Sequence, residues 1–219
     1  MRRKWVWIFF LLAAAAEICL LVWVRGEYRT VLAEGKTYVT PVTVNFNENF
    51  YEKNYIPLHV PVDKAQWNSQ AAPAEGEEVY LAVAGGKNQE MQVLRAQLEP
   101  PQGDWILVRA KRLDGDVLHF DFPADRLYMN AADIRKISIT ELAERVQVKN
   151  PDTGRVETRM KNALTAKLRV KDGRVVIEDL LVNGSPATAA YATVGQNADV
   201  KYAASGKEKD EVLPMGRET

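Results

Sequence analysis

The segment LTAKLRVKDGRVVIEDLLV, residues 164–182, contains the clearest β-hairpin pattern of the chain. Two runs rich in leucine and β-branched residues flank Lys171-Asp172-Gly173. An Asp-Gly pair between two such runs is typical of a tight turn with positive φ angles. This part of the chain is therefore predicted to form two antiparallel strands joined by a short turn.

Further strand patterns precede the hairpin at short spacing. The predicted strands cover residues 37–46, 55–62, 78–84, 90–98, 104–113 and 116–122. Proline cannot donate a ladder hydrogen bond, so Pro41 restricts the first strand to a sheet edge or a bulge, and Pro57 and Pro61 restrict the second to an edge. The simplest arrangement of these strands is an antiparallel meander.

One short helix interrupts the strands. Ser138 and Glu141 have the spacing of a capping box, in which each side chain satisfies an unpaired backbone N–H at the helix start. Ile137 and Leu142 have the spacing of the hydrophobic staple that accompanies such a cap. The helix is predicted over residues 139–145.

A ribbon and a tail complete the pattern. Residues 147–149 and 155–160 can pair around the turn sequence NPDTG. Residues 187–219 lose the pattern and become charged and poor in large apolar side chains, so they are predicted to be disordered. Residues 26–186 are predicted to form one α+β domain that is mostly antiparallel β-structure.

The N-terminal segment WVWIFFLLAAAAEICLLVWV, residues 5–24, has a different character. As a helix it would be about 30 Å long, which matches the hydrocarbon core of a bilayer. Arg2, Arg3 and Lys4 precede it, so the positive-inside rule predicts a cytoplasmic N-terminus and an exported remainder. Residues 1–25 are thus predicted to be a cytoplasmic stub and a single transmembrane anchor in the cell membrane.

Two points about this segment bear on its role. Ala14-Ala15-Ala16 would also fit a signal-peptide cleavage site, but the apolar run continues to Val24, which favours a retained anchor. Glu17 is charged in the middle of the segment, where a carboxyl is costly. We expect Glu17 to be protonated, to face protein, or to mark a partner helix in the membrane.

Composition excludes several classes of function. The chain has 29 Lys and Arg against 29 Asp and Glu, so it has no electrostatic footprint for nucleic acid. Its one cysteine, Cys19, lies in the apolar segment, so no disulfide framework is predicted. His59 and His119 lie on predicted strands without the spacing of a shared metal site, and no cofactor, metal ligand or catalytic residue is predicted.

Four sequence blocks carry a resemblance to a known family. They are the segment after the anchor at residues 31–41, KNYIPLHV at residues 53–60, DRLYMN at residues 125–130 and the hairpin that ends in Asn183-Gly184. Their order after an N-terminal anchor resembles the GDYxxLxY family of membrane-anchored proteins. Tyr55 and Leu58 match the naming motif, whereas its other named positions are replaced. The resemblance spans residues 5–186 and implies an anchored, exported, mostly β domain, in a family without an assigned activity.

The candidate interaction residues are Glu17, Tyr55, Leu58, Asp125, Arg126 and Tyr128. The last three lie between the predicted meander and the capped helix, where an Arg-carboxylate pair and a tyrosine could line a binding surface or form a structural ion pair. The sequence favours a membrane-anchored extracytoplasmic binding or accessory module. The alternative is a membrane-tethered hydrolase similar to signal peptidases, which requires a nucleophile and a base within hydrogen-bonding reach.

Overall fold

The computed structural model of the protein describes residues 2–45, 53–149 and 154–190, apart from the side chains of residues 2–9 and Ile139. The helices are α1 (Arg2–Glu34), α2 (Ala131–Ile134), α3 (Ile139–Leu142) and α4 (Ala187–Ala190), with a 3₁₀ turn at Lys87–Gln89. The strands are β1 (Lys36–Pro41), β2 (Thr43–Val44), β3 (Tyr55–His59), β4 (Lys64–Gln66), β5 (Glu78–Gly85), β6 (Met91–Gln97), β7 (Trp105–Asp114), β8 (Val117–Asp121), β9 (Arg126–Tyr128), β10 (Arg145–Lys149), β11 (Val156–Met160), β12 (Leu164–Lys171), β13 (Arg174–Val182) and β14 (Ser185–Pro186).

Strands dominate the described residues and mostly pair antiparallel, which confirms the predicted α+β class. Strands β12 and β13 form the hairpin predicted at residues 164–182, and Asp172 and Gly173 in its turn have φ angles of 47° and 82°. The predicted ribbon is formed by β10 and β11. Residues 37–46 contain two strands, β1 and β2, and β1 is a sheet-edge strand, as Pro41 predicts.

The chain divides into two compact units, each assembled from separate stretches of sequence. The first unit consists of Met1–Thr40, Val60–Ala124 and Lys167–Glu178. The second unit consists of Pro41–His59, Asp125–Ala166 and Asp179–Thr219. Strands β12 and β13 therefore contribute residues to both units.

The first unit contains a five-stranded sheet with the order β4-β8-β7-β5-β6. The predicted simple meander is wrong, because β5 lies between β6 and β7 and pairs with both. The connection from β6 to β7 therefore crosses over β5 instead of joining neighbouring strands. The burial of β5 explains this position. Its consecutive residues Leu81, Ala82 and Val83 are at most 5% exposed, so both faces of the strand are covered. Such a strand is stabilised best with a neighbour on each side.

The second unit contains a three-stranded sheet with the order β2-β3-β9. The prediction that Pro57 places its strand at an edge is wrong, since β3 is central. The carbonyl oxygen of Pro57 accepts a hydrogen bond from the backbone N–H of Asn45 (3.0 Å). The bond that proline cannot donate falls beyond Val44, the last residue of the two-residue strand β2, so the cost to the ladder is small.

The capped helix is shorter than predicted. The Ser138 hydroxyl accepts a hydrogen bond from the backbone N–H of Glu141 (3.4 Å), which confirms the N-cap, and the staple residues Ile137 and Leu142 are fully buried. Helix α3 ends at Leu142 instead of continuing to residue 145. Arg145 instead begins β10, because its backbone pairs with Met160 of β11.

Helix α1 continues without a break beyond the predicted span to Glu34, and the backbone N–H of Gly35 donates to the carbonyl oxygen of Val31 (2.9 Å). Within the described residues, no helix has the combination of length and apolar composition that a membrane span requires. Residues 5–9, the beginning of the predicted span, lie outside the described side chains. At the other end of the chain α4 forms where disorder was predicted, and residues 191–219 lie outside the described residues.

The turn of the β12–β13 hairpin contacts β7 within the first unit. The backbone N–H of Leu107 donates to the carbonyl oxygen of Gly173 (2.8 Å). A Cβ at Gly173 would lie 2.6 Å from Cη2 and 2.8 Å from Cε3 of Trp105, so only glycine fits under this ring.

We expect Gly173→Ala to lower the free energy of unfolding by about 2–4 kcal/mol, because it combines a positive φ angle with overlap on Trp105. Gly115→Ala is the matched control, since Gly115 has a φ of 58° and nothing within 4 Å of its Cβ position. That variant should lose only about 1 kcal/mol. Urea unfolding of the two variants measures the difference, and equal losses would contradict the role of the Trp105 contact.

Candidate functional site

The exposed face of the second unit's three-stranded sheet carries two tyrosines and an arginine. In the antiparallel pair of β3 and β9, Tyr55 is opposite Tyr128 and Ile56 is opposite Leu127. Side chains alternate between the two faces, so Ile56 and Leu127 are buried while Arg126 and Tyr128 are exposed. On the face that carries Tyr55, Arg126 and Tyr128, Pro57 is buried and Tyr55 is half-buried, so the exposed part of this face is the β9 side with Arg126 and Tyr128.

The aromatic rings on this face contact each other and two cations. The ring centroids of Tyr55 and Tyr128 are 5.8 Å apart with an interplanar angle of 61°, an edge-to-face arrangement. Cζ of Arg126 lies 4.9 Å from the Tyr55 centroid, and Nζ of Lys53 lies 5.2 Å from it. Both distances suit cation–π attraction. We call Lys53, Tyr55, Arg126 and Tyr128 the tyrosine–cation surface.

The ion pair of Arg126 with Asp125 contributes too little free energy to hold the second unit together. Nε of Arg126 is 3.7 Å from Oδ1 of Asp125, and the two side chains are 47% and 70% exposed. Exposed pairs of this kind contribute about 0–1 kcal/mol. Hydrogen bonding to Tyr128, followed by the negative charge of Asp125, raises the pKa of Arg126 above its usual range. The guanidinium is thus a permanent, accessible positive charge.

A cleft of about 380 Å³ lies beside Arg126 in the same unit. The residues that line it are Thr43, Val44, Asn45, Pro57, Leu58, His59, Asp125 and Arg126. Most of these present polar groups, and His59 is on the exposed face of β3. The cleft therefore suits a polar or anionic group better than an apolar one.

The structure brings together four of the predicted interaction residues and leaves two apart. Tyr55, Asp125, Arg126 and Tyr128 lie on one surface of the second unit, where the contact of Tyr55 with the block at residues 125–128 was not predicted. Leu58 is 3% exposed, so its side chain belongs to the core. Glu17 lies on α1, in the first unit, with an exposed side chain.

Sequence reasoning missed a polar cluster in the first unit. The phenol of Tyr38, which is fully buried, donates a hydrogen bond to Oδ2 of Asp104 (2.6 Å). Nζ of Lys36 donates to the same oxygen (2.6 Å). Tyr38 and Asp104 are 66 residues apart in the chain, so no local pattern indicated their contact.

The cluster shifts the ionisation of two of its members. Burial raises the pKa of Tyr38, and the hydrogen bond to Asp104 and the charge of Asp104 raise it further. Burial alone would raise the pKa of Asp104, but the hydrogen bonds from Lys36 and Tyr38 and the charge of Lys36 hold it below its usual value. Because these groups satisfy one another, the cluster forms a structural network.

Two of the described serines bond to the backbone, and one described histidine lies beside a carboxylate. The hydroxyl of Ser69 accepts a hydrogen bond from the backbone N–H of Leu98 (3.1 Å), and that of Ser138 caps α3. Nε2 of His119 is 3.1 Å from Oδ2 of Asp114, across the β7–β8 hairpin. In the part of the chain that the structure describes, no group of three His, Cys, Asp or Glu side chains could hold a metal ion.

Comparisons of the chain with protein-family models, with curated proteins and with solved structures found no match. The resemblance to the GDYxxLxY family therefore stays a prediction, and the tyrosine–cation surface is interpreted from its own geometry.

We expect Asp104→Asn to reduce the dependence of stability on acid pH. The folded pKa of Asp104 is below its unfolded value, so its stabilisation is present above the unfolded pKa, near 4, and is lost as pH falls toward the folded pKa. Thermal unfolding between about pH 7 and pH 3 should show a smaller loss for the variant than for the wild type. Asp121→Asn, which removes a 73% exposed carboxylate, is the control. Parallel curves for Asp104→Asn and wild type would contradict the network.

Proposed function

We propose that this protein is a membrane-anchored binding or accessory module, with α1 in the bilayer and the β-rich part outside the cytoplasm. The observation that carries the proposal is the apolar surface of α1. More than half of each of these side chains is exposed: Phe10, Leu11, Leu12, Ile18, Leu20, Leu21, Val22, Trp23 and Val24. Residues 20–24 are consecutive and cover the whole circumference of the helix. An apolar surface of this extent favours contact with lipid.

The C-terminal part of α1 contacts the β12–β13 hairpin of the first unit. Val31 is 4% exposed. Glu27 pairs with Arg174, and Glu34 pairs with Lys171, both on the β12–β13 hairpin. The last turn of α1 has no basic residue of its own, so the hairpin supplies the positive charge that a helix C-terminus favours. These contacts support a helix that is a fixed part of the first unit.

Orientation and binding role rest on two further features. Arg2, Arg3 and Lys4 before the apolar stretch favour a cytoplasmic N-terminus. The tyrosine–cation surface supports a binding role, because exposed tyrosine and arginine are the residues that most often anchor protein interfaces. The resemblance to the GDYxxLxY family agrees with an anchored, exported domain.

We expect the full-length protein to stay in the membrane pellet after alkaline extraction and to be digested from its C-terminal side when protease is added outside the cell. Leu12→Arg combined with Ile18→Arg should release it, since each arginine costs about 3 kcal/mol near the centre of a membrane helix. Leu94→Arg is the matched control, because Leu94 is equally exposed but lies on β6. Release of the wild type by alkali, or protection of its C-terminal part, would contradict the proposal.

Glu17 provides a separate test of a membrane partner. We expect cross-linking in intact membranes to give a specific product with the wild type, and Glu17→Leu to abolish it while membrane retention is unchanged, because the carboxyl can then no longer hydrogen bond to another helix. Glu17→Gln keeps a hydrogen-bonding group and should retain the product. Identical products from the wild type and Glu17→Leu would exclude Glu17 as the contact.

A further inference from the structure

Strand β9 is an open edge of the second unit's three-stranded sheet. It is the last strand in the order β2-β3-β9. The backbone N–H of Leu58 donates to the carbonyl oxygen of Asp125 (2.8 Å), and in an antiparallel pair every second residue turns its backbone toward the neighbouring strand. Arg126 and Tyr128 therefore turn their backbone N–H and C=O groups away from β3. Within the described part of the chain, these outward groups have no hydrogen-bonding partner.

The side chains at this edge favour a negatively charged partner. The Arg126 side chain is 47% exposed beside the Tyr55 ring, and its contact with the largely exposed carboxylate of Asp125 is long (3.7 Å), so a carboxylate of a partner can approach the guanidinium more closely. Tyr128 is 55% exposed and offers an apolar ring next to the open backbone. Hydrogen-bonding capacity, positive charge and an aromatic surface thus coincide at one short strand.

We propose that β9 binds an extended acidic peptide of a partner protein, which adds to the sheet as an antiparallel fourth strand. The inference rests on the proposed role as a binding module and specifies its ligand. Sheet edges recognise peptides in this way, with backbone bonds giving affinity and alternate side chains giving specificity. An antiparallel strand is favoured because its pairing is more stable per residue than a parallel one.

The geometry of β9 defines the sequence that the peptide needs. Residues directly opposite each other in an antiparallel pair share a face of the sheet. The peptide residue opposite Arg126 is therefore Asp or Glu, with its carboxylate at the guanidinium. The residue opposite Tyr128 comes two positions earlier in the peptide and is aromatic or β-branched, which suits contact with the tyrosine ring. The residue between them faces the other side of the sheet.

The test uses the full-length protein in detergent and a fluorescein-labelled peptide, Thr-Thr-Val-Thr-Glu-Thr, followed by fluorescence anisotropy. Arg126→Gln should weaken binding about three- to tenfold, as should replacing the peptide's glutamate by glutamine. The two changes together should cost no more than either alone, because they remove the same contact. Arg112→Gln, which removes a 67% exposed arginine from β7, is the matched control and should leave binding unchanged.

A second peptide separates strand addition from simple charge attraction. N-methylation of the valine removes the N–H that pairs with the carbonyl of Tyr128, and it should weaken binding about tenfold to both the wild type and Arg126→Gln. Unchanged affinity of the methylated peptide would mean that charge alone holds it, and strand addition would be wrong. This comparison needs no protein variant, so it does not depend on how a substitution affects folding.

Two other outcomes would also overturn the proposal. If light scattering shows a dimer that Arg126→Gln converts to a monomer, the edge is occupied by a second copy of the chain. If the peptide does not bind at about 1 mM, the edge does not recognise acidic strands. In that case a protein that still resists alkaline extraction remains a membrane-anchored module, so failure of the peptide test is distinguishable from failure of the proposed function.

Discussion

The turn of the β12–β13 hairpin is the point on which the first unit depends. Gly173 lies so close to the Trp105 ring that no side chain fits between them. This close approach allows the carbonyl oxygen of Gly173 to accept a hydrogen bond from Leu107 (2.8 Å), which joins the hairpin to the five-stranded sheet. Lys171 and Arg174, on either side of the turn, form ion pairs with α1. Because Gly173 has no side chain, the β12–β13 hairpin can contact both the five-stranded sheet and α1.

The polar cluster of Lys36, Tyr38 and Asp104 stabilises the same region, because Asp104 directly precedes Trp105 in the chain. The backbone carbonyl of Asp104 accepts a hydrogen bond from Val83 (3.0 Å), while its carboxylate binds Lys36 and Tyr38 on β1. Because β1 directly follows α1, the cluster fixes the strand into which the helix leads. The charged network and the hairpin turn together link α1 to the sheet. Polar groups here serve architecture, since each is satisfied by another.

In β9 of the second unit, buried and exposed side chains alternate along the strand. Leu127 points to the buried face of β9 and is required for the core, whereas Arg126 and Tyr128 point outward and contribute little to it. Folding therefore places few demands on the side chains at positions 126 and 128. In the proposed binding role, the exposed Arg126 and Tyr128 beside Tyr55 are the side chains that meet the partner.

The sequence by itself determined the elements whose signals are local. The β-class, the β12–β13 turn, the Ser138 cap and the long N-terminal helix follow from strand periodicity, an Asp-Gly pair, a three-residue spacing and a continuous apolar run. Only the tertiary structure decided the strand order around β5, the central place of Pro57, the link from Tyr38 to Asp104 and the meeting of Tyr55 with Arg126. Each of these features joins residues that are far apart in the chain. Such pairings form between strand edges that still lack hydrogen bonds and apolar faces that are still exposed once the local elements exist. No single segment of sequence encodes that outcome.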